Sequence, residues 1–395
     1  MQQFGAKVLS FFFLGVIIFV PLPFLGIPFQ LDITQLLFSK PVTLLQQHFF
    51  EDALLFVYFS SDTIALNLLL VLLFLLSILL VLVVYAFKIK TEKLIYFARI
   101  SVVYYLIFIL LKYGFDKIFL QQFYQPEPNI LYAEFGKLSK DILYWSTMGL
   151  SPTFSIVTGI IEVLVAVLLI FKRTRAVGLL LSILVLANIV LINFAFDISV
   201  KTFSCLLLGA SIFAIFLYLK AIWSFFILQK SAELHDKDVQ IIKIPHFKIG
   251  VKFFAISIFL LQILYPYLFD KKEPNQNLLS GAYEVITIIK DGDTLSKEAF
   301  PVKRIFFSKK AYLVFESNEG IMKDYFVKLD TGKQLETFNY NLQKNKMAYD
   351  YDEKDSILSI EFEDKNHFKI KAKAMKFKKL PALQDDFHFT IDGIK

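Results

Sequence analysis

Ser155–Leu219 reads SIVTGIIEVLVAVLLIFKRTRAVGLLLSILVLANIVLINFAFDISVKTFSCLLLGASIFAIFLYL, three apolar runs parted by Lys172-Arg173-Thr174-Arg175 and by Asp197-Ile198-Ser199-Val200-Lys201. Runs of roughly 20 apolar residues, at ~1.5 Å rise each, match the ~30 Å hydrocarbon core of a bilayer. The stretch therefore predicts three helical membrane spans joined by short charged loops. Glu162 stands inside the first run, about nine residues from either end. An unpaired acid in hydrocarbon costs on the order of several kcal/mol, so it must find a partner or take up a proton. Asn188 and Asn193 on the next run are candidate donors. The acid then reads either as a proton relay or ligand contact, or as hydrogen-bonding glue between two helices.

Composition extends this reading to the whole chain. Of 395 residues 56% are hydrophobic, 45 are Phe, and mean hydropathy is +0.58, beyond what a water-soluble domain carries. A net charge of +7 and a pI near 9.0 raise the question of nucleic acid. The basic residues sit mostly in short loops beside apolar runs, where they set orientation, so no nucleic-acid partner is expected. The single Cys205 excludes an intrachain disulfide, and its place inside an apolar run predicts a buried structural thiol.

In chain order, residues 8–27 form a first apolar run behind Lys7, read as an uncleaved signal anchor rather than a signal peptide. Residues 28–62 read as an interfacial loop, and 63–87 as an uncharged span followed by Lys88, Lys90 and Lys93. A third run, 94–119, carries Arg99 near one end, expected to snorkel to the interface, and Lys112, Asp116 and Lys117 near the other. Residues 120–152, with Pro126, Pro128, Tyr144 and Trp145, predict an outer loop holding a surface helix. Spans follow at 153–171, 176–196 and 203–228, then a charged segment and a seventh span at 251–269. Lys and Arg concentrate on one side, in the loops holding Lys88 to Lys93, Lys172 to Arg175 and Lys220 to Lys252. That bias predicts a cytoplasmic amino terminus and, with seven spans, an extracytoplasmic carboxyl-terminal domain in a bacterial inner membrane.

After Asp270 the character changes: residues 271–395 hold 22 Lys/Arg and 20 Asp/Glu with no long apolar run. Alternation in Tyr283–Ile288, Ala311–Phe315, Lys323–Leu329 and Ser356–Phe362, with turns at Asp291-Gly292, Glu319-Gly320 and Thr331-Gly332, predicts an antiparallel sandwich or small barrel. Between Phe368 and Ala374 apolar residues alternate with Lys369, Lys371 and Lys373, either a solvated strand face or a contact for anionic headgroups.

No phosphate-binding loop, dinucleotide fingerprint, His-Glu-x-x-His or Gly-x-Ser-x-Gly motif occurs. His48, His235, His246, His367 and His388 lie in separate loops, so no metal site is expected. Catalytic residues are not legible.

Five spaced patterns carry a resemblance. They are Ser61-Asp62-Thr63, Tyr113-Gly114-Phe115-Asp116-Lys117-Ile118-Phe119, Met148-Gly149-Leu150-Ser151-Pro152 leading to Gly159-x-x-Glu162, Lys172-Arg173-Thr174, and Asn193-Phe194-Ala195-Phe196-Asp197-x-x-Val200-Lys201. Across roughly 60–220 the chain resembles DoxX-like membrane proteins, in a long bacterial variety with extra amino-terminal spans and a terminal β domain. The resemblance implies a four-helix membrane core over 94–228, similar to quinone-linked redox subunits, and hence a quinone as possible cofactor. Flanking it are an amino-terminal membrane segment of two spans and an outer loop (1–93), a cytoplasmic loop with the seventh span (229–270) and the β-rich domain (271–395). A histidine that often follows the Lys201 region in that group is here replaced by Phe203-Ser204-Cys205-Leu206.

Asp62, Asp116, Lys117, Asp197 and Lys201 map to the outer ends of their spans, with Glu162, Asn188 and Asn193 beneath them. Asp197 and Lys201 are four apart and would share a face if helical. Together these eight form either an outward-facing polar pocket or a ring of separate interfacial charges. The expected function is a redox-accessory or hydrophobic-ligand module taking a quinone-like or lipid molecule, with membrane lipids as surroundings. The alternatives are a proton-coupled transporter using Glu162, or an envelope scaffold whose β domain binds a protein or polysaccharide.

Overall fold

The computed structural model describes residues 2–22, 29–50, 57–231, 257–258, 260–268, 279–296, 300–308, 312–329, 334–338, 344–362, 368–384 and 390. They fall into a helical unit, Met1–Gln122 with Thr153–Phe269, and a second unit, Phe123–Pro152 with Asp270–Lys395.

The helical unit comprises α1 (Gln2–Phe19), α2 (Gln30–Phe49), α3 (Ile64–Ala86) and α4 (Glu92–Ile118) before the second unit intervenes. After it come α7 (Pro152–Ile170), α8 (Arg175–Ala195), α9 (Lys201–Ile215) and α10 (Leu219–Phe226), counting α5 (Pro128–Leu131) and α6 (Lys140–Gly149) in the other unit. By length and composition α3, α4, α7 and α8 can each cross a membrane, and α9 with α10, bent by 75° at their junction, would make a fifth span. In α3 Leu69, Leu73 and Val81 are buried while Val71, Leu75, Leu79 and Leu82 are exposed. A helix apolar on its outward face as well needs lipid around it, which marks a membrane protein.

Two expectations change here. Residues 28–62, read as a loop, contain the 20-residue helix α2 with Pro41 inside it. The Thr34 hydroxyl donates to Phe19 O at 2.8 Å and the Gln30 amide to Val20 O at 3.0 Å, so α2 satisfies carbonyls at the end of α1. The chain after α9 breaks at Phe216–Tyr218 rather than running on as one straight span. Of the seventh run, residues 257–258 and 260–268 are helical and the rest lies outside the described residues.

Arg99 does not snorkel. It is buried, and its guanidinium donates to Ala214 O at 2.8 Å, a carbonyl in the last turn of α9. Arg175, also buried, does the same for Leu169 O at 3.2 Å in the last turn of α7. Both cations thus supply donors where a helix end leaves carbonyls without a partner.

The second unit is a closed antiparallel meander, with β1 (Gly281–Lys290), β2 (Asp293–Thr294), β3 (Arg304–Phe307), β4 (Tyr312–Glu316), β5 (Met322–Leu329), β6 (Gln334–Phe338), β7 (Lys344–Asp352), β8 (Ile357–Phe362) and β9 (Lys369–Ala374). Each of β3 to β9 pairs with the next, and β1 pairs with both β3 and β9. That closure decides for a barrel over a sandwich. A bulge between Val285 and Thr287 lets β1 bend across the seam. Inside sit Ile288, Ile305, Leu313, Leu335, Leu358, Ile360 and Ile370, every one at most 1% exposed. Outside, Ala282, Phe306 and Val314 form a second apolar patch covered by Tyr132 and Phe377. Residues of the 123–152 segment hold this face: Tyr132 stacks on Phe306, and the Lys137 ammonium donates to Glu319 O at 2.7 Å.

Candidate functional site

The eight residues singled out from the sequence separate into distinct groups within the helical unit. Glu162, in the middle of α7, accepts from the Lys117 ammonium through both carboxylate oxygens, at 2.8 and 2.9 Å. Both side chains are buried. The pairing depends on glycine: a Cβ added at Gly159 would lie 2.5 Å from Gly114 O and 2.9 Å from Lys117 Cβ, and one at Gly114 would lie 2.9 Å from Gly159 O. Two glycines let the backbones of α4 and α7 touch, which brings the ammonium of one helix to the carboxylate of the other. Ser155 adds a hydrogen bond from its hydroxyl to Lys117 O at 3.3 Å.

Asp116, one residue before Lys117, joins a different set. It is bound by Lys112 at 2.5 Å and by the hydroxyl of Tyr267, whose ring stacks on Phe119. Asn188 is exposed on α8, and Asn193 is buried without reaching Glu162, so the expected amide partners of the acid give way to Lys117. The reason is the Gly114–Gly159 contact, which places α4 rather than α8 against the acid.

The third group lies where α3 and α9 begin. The Asp62 carboxylate accepts from the backbone N–H groups of Lys201 at 3.0 Å and Thr202 at 2.8 Å. It serves as an N-cap supplied by a distant loop, an anion at the positive end of α9. The Lys201 ammonium lies 2.7 Å from Asp197 and 3.6 Å from Asp62, and the Thr202 hydroxyl donates to the side-chain oxygen of Asn67 at 3.1 Å. Asp197 is in the left-handed region with φ 54°, outside α9, so it reaches Lys201 from the preceding turn instead of sharing a helix face.

Beside this group runs an open groove of about 610 Å³. Phe12, Phe13, Leu70, Phe194 and Leu206 wall it, Gly209 leaves room in it, and Asp62, Lys201 and Thr202 stand at it. Two of the eight candidates therefore line a cavity; Thr202 and Asn67 were not singled out, although a hydroxyl following Lys201 at a helix start is the signal that points to them. Cys205, expected to be buried, is exposed on this groove. Among the described residues no cluster of three or more His, Cys, Asp or Glu could hold a metal ion.

Comparison with known proteins gives one partial relative. An uncharacterized protein, YwoB of Bacillus subtilis (strain 168), is 38% identical over 96 residues, which is 24% of this chain and 60% of that protein. The chain thus spans under two thirds of that relative's length. No family model and no solved structure matches.

Proposed function

We propose that the helical unit is a binding module for a hydrophobic molecule, quinone-like or lipidic, seated in the groove walled by Phe12, Phe13, Leu70, Phe194 and Leu206 with its polar end at Asp62, Lys201 and Thr202. The observation that carries this reading is the pairing of an apolar cavity of about 610 Å³ with a few convergent polar groups at one place. The polar end also bears on the kind of head group. Its one ammonium is already shared between Asp62 and Asp197, so it has little to offer an anion. A neutral carbonyl or hydroxyl head, which accepts or donates single hydrogen bonds, suits it better. The resemblance to DoxX-like proteins, with their likeness to quinone-linked subunits, points the same way. We place the module in a bacterial inner membrane with the Asp62–Lys201 end facing outward, on the distribution of Lys and Arg.

The transporter reading has less support, because both oxygens of Glu162 are held by Lys117. A scaffold role for the barrel, binding an envelope protein or polysaccharide, is compatible with a binding module in the helices and rests on the barrel alone.

The test is mass spectrometry of the lipid extract from protein purified in mild detergent, alongside a Gly209→Trp variant. A Cβ added at Gly209 meets only Phe13, at 3.7 Å, and Gly209 lines the groove, so an indole there occupies groove space; thermal unfolding checks that the variant is folded. A neutral quinone-like or lipid species enriched on the native protein and reduced roughly tenfold in the variant is the expected result. Identical bulk membrane lipid on both would remove the proposal; proton-coupled flux in sealed vesicles abolished by Glu162→Gln would favour the transporter.

A further inference from the structure

An eight-stranded barrel is at the size where its interior either fills with its own side chains or holds one small ligand. This barrel, closed by β1 and β3 to β9, does both, at different heights. Ile288, Ile305, Leu313, Leu335, Leu358 and Ile360 are at most 1% exposed and pack the interior. At the end where the 317–321 turn lies, the packing stops and a cavity of about 600 Å³ opens. Its walls are Phe315, Tyr325, Met347, Phe362, Phe368 and Ile370, from five different strands or their ends. The aromatic rings brace one another: Phe315 meets Tyr325 edge-on at 5.9 Å, and Phe362 meets Phe368 edge-on at 5.6 Å. The segment at Phe300 is fastened to the rim by the Asn318 amide, which donates to Phe300 O at 2.8 Å.

The charge at this opening is specific. Lys323 and Glu319 are the two charged residues among those lining the cavity. Glu319 is exposed in the turn, and its carbonyl is taken by Lys137. Lys323 belongs to the same-face set of β5 as Tyr325, in register with Phe315, and is an exposed member of the cavity lining. Among the described residues no ion pair engages it.

We propose that the barrel mouth is a binding site for a single-chain lipid of fatty-acid type. The aliphatic chain lies between Phe315, Met347 and Phe362, and the carboxylate meets Lys323 at the rim. A cavity of this volume falls within the range of ~300–1,000 Å³ that holds one small ligand, and a lining that sets Phe315, Met347 and Phe362 beside Lys323, with Ser317, Asn318, Glu319 and Asn345 as its other polar members, matches an apolar chain with one charged end. The site is independent of the groove in the helical unit and stands or falls separately.

Photo-crosslinking tests it on the full-length protein in phosphatidylcholine nanodiscs, with palmitic acid carrying a diazirine in the chain and peptide mapping by mass spectrometry. Expected is saturable labelling of peptides holding Phe315–Tyr325 or Met347, competed by unlabelled palmitate. Asn345→Trp, at an exposed position lining the cavity, should lower that labelling roughly tenfold; Lys323→Glu, an exposed change that spares the core, should lower it by about fivefold or more while leaving the corresponding diazirine alcohol within about twofold. Labelling confined to the membrane helices, or equal labelling in the native protein and the Lys323→Glu variant, overturns the proposal. Thermal unfolding of the native protein and both variants confirms that each is folded when labelled.

Discussion

Glu162 is where the sequence poses its sharpest problem, and Lys117 is the answer. A carboxylate inside an apolar helix must be paired, and the ammonium 45 residues earlier in the chain supplies two hydrogen bonds to it. Taking two charges out of water costs several kcal/mol each, which their mutual attraction repays only in good geometry. The pair is therefore expected to contribute specificity of helix packing more than net stability. Lys117→Met should destabilise the helical unit by about 3–5 kcal/mol, because it strands a buried carboxylate, whereas Lys117→Met with Glu162→Leu should regain most of that loss. Thermal unfolding in detergent measures both; a double variant as unstable as the single one would contradict the account. The need for a partner was readable from Glu162 alone, but the partner's identity was not, because Asn188 and Asn193 on the adjacent run offered equally suitable donors.

At the scale of elements, α3, α4, α7, α8 and the strand alternation were legible, whereas the run expected at 8–27 is α1 at Gln2–Phe19, α2 was read as loop, and the contacts between elements were not legible. The spans expected at 153–171 and 176–196 are α7 and α8 to within a residue, because runs of that apolarity have no other stable form in lipid. The break between α9 and α10 was missed, since apolar residues continue straight through it. In the barrel, Ile370 and Ala372 point inward and their lysine neighbours outward, as the period of two requires. On the outer face Arg304 and Glu316 stand opposite each other on β3 and β4, with Arg304 Nε 2.9 Å from the carboxylate and its guanidinium over the Tyr132 ring. Burial holds the Glu316 carboxyl above its ordinary value of 4.5, and Arg304 and Lys303 only partly oppose this. A group with a raised folded-state pKa favours the fold below its unfolded value and loses that contribution as pH climbs through the folded one. Barrel stability is thus expected to fall as pH rises from about 4.5, and Glu316→Gln should flatten that slope, read by denaturant unfolding followed through tyrosine fluorescence. An unchanged slope in the variant would mean that other groups set it.

At the scale of the molecule, the second unit is built from two separated pieces of chain, because Phe123–Pro152 joins the residues after Asp270. Two pieces of one compact unit are expected on the same side of a membrane. In the orientation proposed from the Lys and Arg distribution, that side is extracytoplasmic. In a Cys205→Ser background, Lys140→Cys should react with a membrane-impermeant maleimide on intact cells, and Lys172→Cys only after lysis. The opposite pattern would invert the orientation proposed for the helices.

From the sequence alone came a membrane protein with a strand-rich terminal part, and the placement of the four helices long and apolar enough to cross a bilayer, because hydrocarbon thickness and the two side-chain periods act locally along the chain. What required the tertiary structure was every convergence: Lys117 on Glu162 through Gly114 and Gly159, Asp62 on the start of α9, the strand pairing that closes the barrel, and the cavities in each unit. Those depend on which faces meet at close range, and many pairings of similar apolar faces satisfy the same one-dimensional pattern.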